Sequence, residues 1–264
     1  MKKKLLILGA LLMGLTKVSA AVDPNFQIYL CFGQSNMEGN AAIEDIDRTG
    51  VNPRFMAMYA VDDEKAGWKK GQWHTAVPPQ ARPDTGLTPV DYFGRKMVDN
   101  LPDSIKVGTI TVAVGGASID LFDKRTCKAY LKKQPDWMKN FASQYNGNPY
   151  ARLIELAKIA QKQGVIKGIL LHQGETNNGD ANWPNRVKTV YNDILKELHL
   201  KAEDVPLLVG ETVQKDQGGS CWQHIAIVDD IAKTIPTAHV ISSKGCPQRG
   251  DGLHFIAESY RTMG

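Results

Sequence analysis

Ile28-Tyr29-Leu30-Cys31-Phe32-Gly33-Gln34-Ser35-Asn36-Met37-Glu38-Gly39 is an apolar run that stops at a glycine and gives way to small and polar residues. The apolar part has the length and the aromatic and β-branched content of a buried strand, and the residues from Gly33 onward cannot continue it. In an open α/β sheet, ligands bind in the crevice beyond the carboxyl ends of the strands. Ser35, just past such an end, is therefore placed to present a nucleophilic hydroxyl. A tight turn in which Ser35 and Asn36 bond their own backbone would leave the same trace. Three further segments favour the chemical reading.

Those segments emerge from the pattern of the remaining chain. Apolar runs at residues 55–61, 107–114, 165–171 and 206–209 read as strands, and 239–242 as a last strand or edge. Helices are expected between them. Thr88-Pro89-Val90-Asp91 has a threonine N-cap, proline at the first helical position and an acid in the first turn, and Asn148-Pro149 repeats the device. Trp183-Pro184 opens another helix, residues 225–235 form an amphipathic one, and a last helix that begins near His254 is still running at Gly264, so a longer natural chain is expected. Strands that alternate with helices and read as unbroken apolar runs indicate an α/β fold whose central parallel sheet, of about five strands, is covered on both faces.

The N-terminus bounds the rest. Lys2, Lys3 and Lys4 precede an apolar run from Leu5 to Leu15 and the small residues Ser19, Ala20 and Ala21. This is the pattern of a secretory signal peptide over residues 1–20, too short in its apolar part to span a bilayer. Residues 21–264 then form a single domain, exported to the periplasm or beyond, with no membrane span after cleavage. The whole chain carries 32 Lys and Arg against 28 Asp and Glu; the leader holds four of the lysines and no acid, so the remainder is formally neutral. Nothing in that balance asks for a nucleic acid as partner.

Cysteine usage suggests no metal site. No CxxC or His/Cys spacing of a metal site occurs. Cys31 reads as a small buried hydrophobe; Cys221 and Cys246, each following an expected strand, are the candidate disulfide pair. The irregular stretch 62–87 carries Trp68, Trp73 and His74. Such long loops are functional or disordered, and tryptophans argue against disorder. Trp73 and His74 are therefore the candidate substrate contacts, by stacking on sugar rings, unless the aromatics only pin the loop to the core.

Gly33-Gln34-Ser35-Asn36, Gly115-Gly116-Ala117-Ser118 and His172-Gln173-Gly174-Glu175-Thr176-Asn177 follow expected strands, and Asp251-Gly252-Leu253-His254 precedes the last helix. A parallel sheet gathers its strand ends on one edge. Acyl transfer fits what they contain: a nucleophile, a base and donors for the oxyanion of a tetrahedral intermediate. Ser35 is the candidate nucleophile, with Ser118 its rival. His254 is the candidate base, oriented by Asp251. The backbone N–H groups of Ser35 and Gly116 and the side-chain amide of Gln173 are the candidate oxyanion donors, with Asn177 the alternative to Gln173.

From residue 27 onward, with these four segments in order, the sequence resembles the SGNH (GDSL-like) hydrolase superfamily. Within it, the similarity is to the sialate O-acetylesterase and acetylxylan esterase group, including the sixth carbohydrate esterase family. The segment from Thr88 to Phe93 looks most like acetylxylan esterases. The resemblance implies a three-layer, flavodoxin-like α/β/α sandwich, a Ser-His-Asp triad from the first and last blocks, and no cofactor. It also implies an acetylated carbohydrate substrate, most readily acetylxylan, with O-acetylated sialic acid as the alternative. A carbohydrate-binding protein on an inactive version of the scaffold is the reading from another class. The third block departs from the Gly-x-Asn-Asp of the wider superfamily, which leaves the side-chain oxyanion donor open.

Overall fold

The computed structural model describes residues 21–264; the expected signal peptide, residues 1–20, lies outside them. Seven strands form one sheet: β1 (Phe26–Gly33), β2 (Phe55–Met58), β3 (Trp73–Thr75), β4 (Lys106–Ala113), β5 (Val165–His172), β6 (Leu207–Gly210) and β7 (Ala238–Ile241). Their order is β3-β2-β4-β1-β5-β6-β7, and every pairing is parallel except that of β2 with β3. The sheet thus has seven strands rather than about five. The unforeseen β3 is a three-residue antiparallel edge inside a stretch read as irregular, too short to show a period.

β1 is central because both of its faces are apolar. Phe26, Ile28, Leu30 and Phe32 enter a core shared with the helices Pro149–Ala160 and Trp183–Leu198. Tyr29 and Cys31, on the other face, pack with Met37 and with Val90 and Val98 of the helix Pro89–Asn100. The alternation is the period of a strand buried on both sides, and it produces the three layers.

The caps act as their residue types require. The Asp91 carboxylate accepts the Thr88 N–H at 3.0 Å, and the Asn148 side chain accepts the Ala151 N–H at 3.0 Å. The helix expected over 225–235 is broken at Asp230 into Ile225–Asp229 and Ile231–Thr234. All four cysteines are free and buried, so Cys221 and Cys246 form no disulfide. Among the described residues no helix is long and apolar enough to cross a membrane.

The register positions the site. Gly33, the last residue of β1, stands level with Ala113 of β4 on one side and His172 of β5 on the other. The loops that leave these three strands therefore diverge from one height, at the point where the strand order turns from one side of β1 to the other. A Cβ on Gly33 would run into the His172 carbonyl, which only glycine avoids.

Candidate active site

Ser35 opens the short helix Ser35–Glu38 directly after β1 and is 6% exposed. Its Oγ lies 2.8 Å from His254 Nε2, and His254 Nδ1 lies 2.7 Å from Asp251 Oδ2. A carboxylate at Nδ1 fixes the proton there, which leaves Nε2 as the acceptor for the serine hydroxyl. The loop that carries the pair is stiffened by its own acid: Asp251 Oδ1 accepts the N–H groups of Leu253 and His254, each at 2.9 Å, and Arg249 Nε donates to Oδ2 at 2.8 Å. Burial works to raise the Asp251 pKa, but the bonds from His254, Arg249 and Leu253 outweigh it and hold the carboxyl well below the usual carboxylate range.

One side chain knits three distant segments. Asn36, fully buried, donates Nδ2 to Glu175 Oε1 at 2.6 Å and to the Leu253 carbonyl at 3.0 Å, and its Oδ1 accepts the Tyr260 hydroxyl at 2.6 Å. Glu175 therefore braces the loop after β5. The rival nucleophile is not brought to an imidazole. Ser118 caps the turn Ile119–Leu121, with its Oγ accepting the Asp120 N–H at 3.2 Å and donating to Asp120 Oδ2 at 3.1 Å.

The two candidate backbone donors lie on one cavity. Gly116 adopts φ +70°, a left-handed turn, and its carbonyl accepts Thr176 Oγ1 at 2.9 Å. The N–H groups of Ser35 and Gly116 have no protein acceptor among the described residues, and both residues line the same cavity. Behind the turn, Glu38 accepts the Gly115 N–H at 3.0 Å and forms a buried ion pair with Arg82. Burial pushes the Glu38 carboxyl up, opposed by the Arg82 guanidinium and the Gly115 N–H, which favour its charged form.

The side-chain donor expected at Gln173 is corrected by the geometry. Gln173 is fully buried beneath the cavity; its Nε2 donates to Asn177 Oδ1 at 2.8 Å, Gln34 Oε1 at 3.1 Å and the Ala117 carbonyl at 3.2 Å, and its Oε1 accepts Trp183 Nε1 at 2.5 Å. An amide with two hydrogens and three acceptors has none left for a ligand. Asn177 is not among the residues that line the cavity; its Oδ1 accepts from Gln173 and from the Ile119 N–H, which turns the amide into the support beneath the site. Gln34 is the reverse case. Its Oε1 is held by Gln173, and its Nε2 has no protein acceptor while the residue lines the cavity. The signal was in the quoted stretch, where an amide sits immediately before Ser35.

Trp73 and His74 are not at the site either. Trp73 packs edge-on against Phe26, ring centroids 4.8 Å apart, and His74 stacks on Trp68 at 3.9 Å and 11°. None of the three lines the cavity; the loop is pinned to the core by its aromatics. The cavity, about 530 Å³, is instead walled by Trp137 and Phe141 of the helix Asp136–Ser143 and by Arg82 and Asp84. No strand-end loop in the sequence marks Trp137.

A hydroxyl–imidazole–carboxylate chain at the floor of an open cavity, with uncommitted N–H donors beside it, is the equipment of an ester hydrolase. The family model described as carbohydrate esterase, sialic acid-specific acetylesterase matches residues 25–264, and the chain belongs to that family. Solved structures with a similar fold include a protein from Arabidopsis thaliana, at 19% identity and TM-score 0.66, covering 91% of this chain and 95% of that one. NanS is similar at 15% identity and TM-score 0.63, covering 92% and 95%. A carbohydrate acetylesterase from Xanthomonas citri matches at 18% identity and TM-score 0.59, over 89% of this chain and 53% of that one. The resemblance seen in the four motif segments is thus met at the level of family and fold.

Proposed function

We propose that the protein removes acetyl groups from a neutral acetylated polysaccharide, acetylxylan first among them, through an acetyl-enzyme on Ser35. The observation that carries this reading is the unbroken chain from Ser35 Oγ to His254 Nε2 at 2.8 Å and from Nδ1 to Asp251 at 2.7 Å. Ser35 attacks the acetyl carbonyl while His254 takes its proton. The oxyanion is received by the Ser35 and Gly116 N–H groups and by Gln34 Nε2. Collapse expels the sugar hydroxyl, which leaves with the proton from His254, and water clears the acetyl group by the same steps. Asp251 stays ionised throughout, so its part is to hold the tautomer and stabilise the imidazolium.

The neutral sugar is favoured by the cavity wall. Glu38, Asp84 and Glu175 are acidic, and Arg82, the only arginine or lysine among the lining residues, is already paired with Glu38. An anionic sugar would bring its carboxylate to this wall without a free partner, at a desolvation cost. O-acetylated sialic acid is the second reading, favoured by the family description and by the fold shared with NanS.

Acetate release from acetylated xylan and from O-acetyl sialic acid, measured side by side with a Ser35→Ala control, tests this. Release from xylan that falls by about 10⁶ in the variant, with folding unchanged by circular dichroism, is the expected result. Faster release from the sialic acid would reverse the order of the two readings. Undiminished release by the variant would remove Ser35 from the mechanism.

A further inference from the structure

Trp137 is a large apolar side chain left open at the mouth of the catalytic cavity. It is 48% exposed, and among the described residues only Val22, Ile46 and Trp222 are comparably exposed hydrophobics. None of those three lines the cavity, and the Trp222 ring is covered by Lys215 Nζ at 4.4 Å from its centroid. Trp137 both lines the cavity that holds Ser35 and has no cation over its ring among the described residues. Leaving an indole in water forgoes a large apolar contribution, which is recovered when a ligand covers it.

The ring is held in place. Phe141, one turn on, meets it edge-on with centroids 5.8 Å apart; the Arg82 guanidinium lies 4.4 Å from the Phe141 centroid; and Arg82 is anchored by Glu38. The neighbouring Met138 is buried, which fixes the helix beneath. The indole tip lies against the oxyanion turn, since a Cβ on Gly116 would be 2.8 Å from Trp137 Cη2. The wall from Glu38 to Trp137 is therefore one packed relay, with its outermost aromatic surface beside the place where the acetyl carbonyl must sit.

We infer that Trp137 is the stacking platform for the pyranose ring that carries the acetyl group. The C–H face of the sugar lies on the indole while the ester reaches past Gly116 to Ser35. An uncharged ring with an apolar face suits this subsite, because the charged groups that line the cavity are mainly acidic. The assignment rests on the acetylesterase reading above and names how the sugar is held there.

The test compares the native protein with Trp137→Ala and Trp137→Phe on an acetylated xylo-oligosaccharide and on 4-nitrophenyl acetate, which has no pyranose. The expected result for Trp137→Ala is a KM for the oligosaccharide raised roughly tenfold with a much smaller change in kcat. The ratio of kcat/KM between the two substrates then falls about tenfold, and Trp137→Phe recovers much of it. Parallel losses on both substrates would mean that the indole only props the Gly116 turn, and would overturn the assignment. A second arm does not depend on turnover: titrating the Ser35→Ala protein with the deacetylated xylo-oligosaccharide should shift its tryptophan emission, and Trp137→Ala in that background should abolish the shift. If the native protein hydrolyses 4-nitrophenyl acetate but not the acetylated oligosaccharide, the acetylxylan reading fails. The emission titration then judges the platform by itself, and absence of any shift refutes it.

Discussion

Two regions of this molecule are rich in the same kinds of side chain and use them in opposite ways. At the edge formed by β2 and β3, Trp68 and His74 stack on one another and meet Tyr59 edge-on, and Trp73 meets Phe26 edge-on. In the crevice beyond β1, β4 and β5, Trp137 keeps a face open. The polar groups divide in the same manner. Asp91, near the edge, is fully buried, accepts from Gln80 and Thr88, and burial pushes its pKa up to about 7. Asp251, beside the crevice, is part-exposed and held low by its bonds to His254 and Arg249. A residue type carries little functional information by itself; what separates the regions is whether a donor, an acceptor or a face remains uncommitted once the fold has formed.

The contrast can be broken experimentally, and the largest effect should come from the glutamines. Gln34→Ala should lower kcat by about 10²–10³ with little change in KM, as expected when a donor acts only in the transition state. Its loss of stability should be the smaller of the two, because Gln173 Nε2 keeps its bonds to Asn177 and Ala117. Gln173→Ala should instead appear mainly in the melting curve, because it strands the buried Trp183 Nε1; a buried group left unpaired costs about 1–3 kcal/mol. If Gln173→Ala alone depressed kcat and Gln34→Ala did not, their roles would be exchanged.

A smaller effect is expected at the edge. Trp73→Ala should destabilise the protein by about 2–3 kcal/mol, somewhat under the range for a fully buried tryptophan, while kcat/KM on acetylated xylan stays within about twofold. A selective loss of activity toward the polysaccharide would return Trp73 to the substrate path.

The last concerns pH, where the effect within any one pH unit is small. A folded pKa of about 7 for Asp91, against roughly 3.9 when unfolded, means that the folded state binds the extra proton between those values. That contribution to stability is fully present below about pH 4 and is lost as pH rises through about 7. Asp91→Asn should therefore remove a downward slope of at most about 1.4 kcal/mol per pH unit, read from denaturant midpoints across that window. An unchanged slope would place the titration elsewhere.

Most of this was legible in the chain. The strand ends at Gly33, Ala113 and His172, the Thr88 and Asn148 caps, and the Ser35, His254 and Asp251 set could be read because turn chemistry and apolar periodicity are local. The rest was not local. β3 is only three residues long, and its partner, not its composition, makes it a strand. Gln173 and Gln34 cannot be ranked by distance from a strand end, because the outcome depends on which amide is taken up by the acceptors of Asn177 and Ala117 and by the Trp183 donor. Trp137 lies between strands, on a helix that is seated at the crevice by its buried Met138 and by Phe141 under the Arg82 guanidinium.

Asn36 has a consequence for how activity arises in time. Its bonds join positions separated by 139, 217 and 224 residues. Pairings that distant close late, after the entropy of the intervening chain has been surrendered. During synthesis, the nucleophile emerges early and waits, inert, until the segment that bears its base has arrived and docked. In a refolding experiment, regained turnover should accordingly trail the return of sheet and helix signals, which makes catalysis a reporter of the last step of assembly rather than of the first.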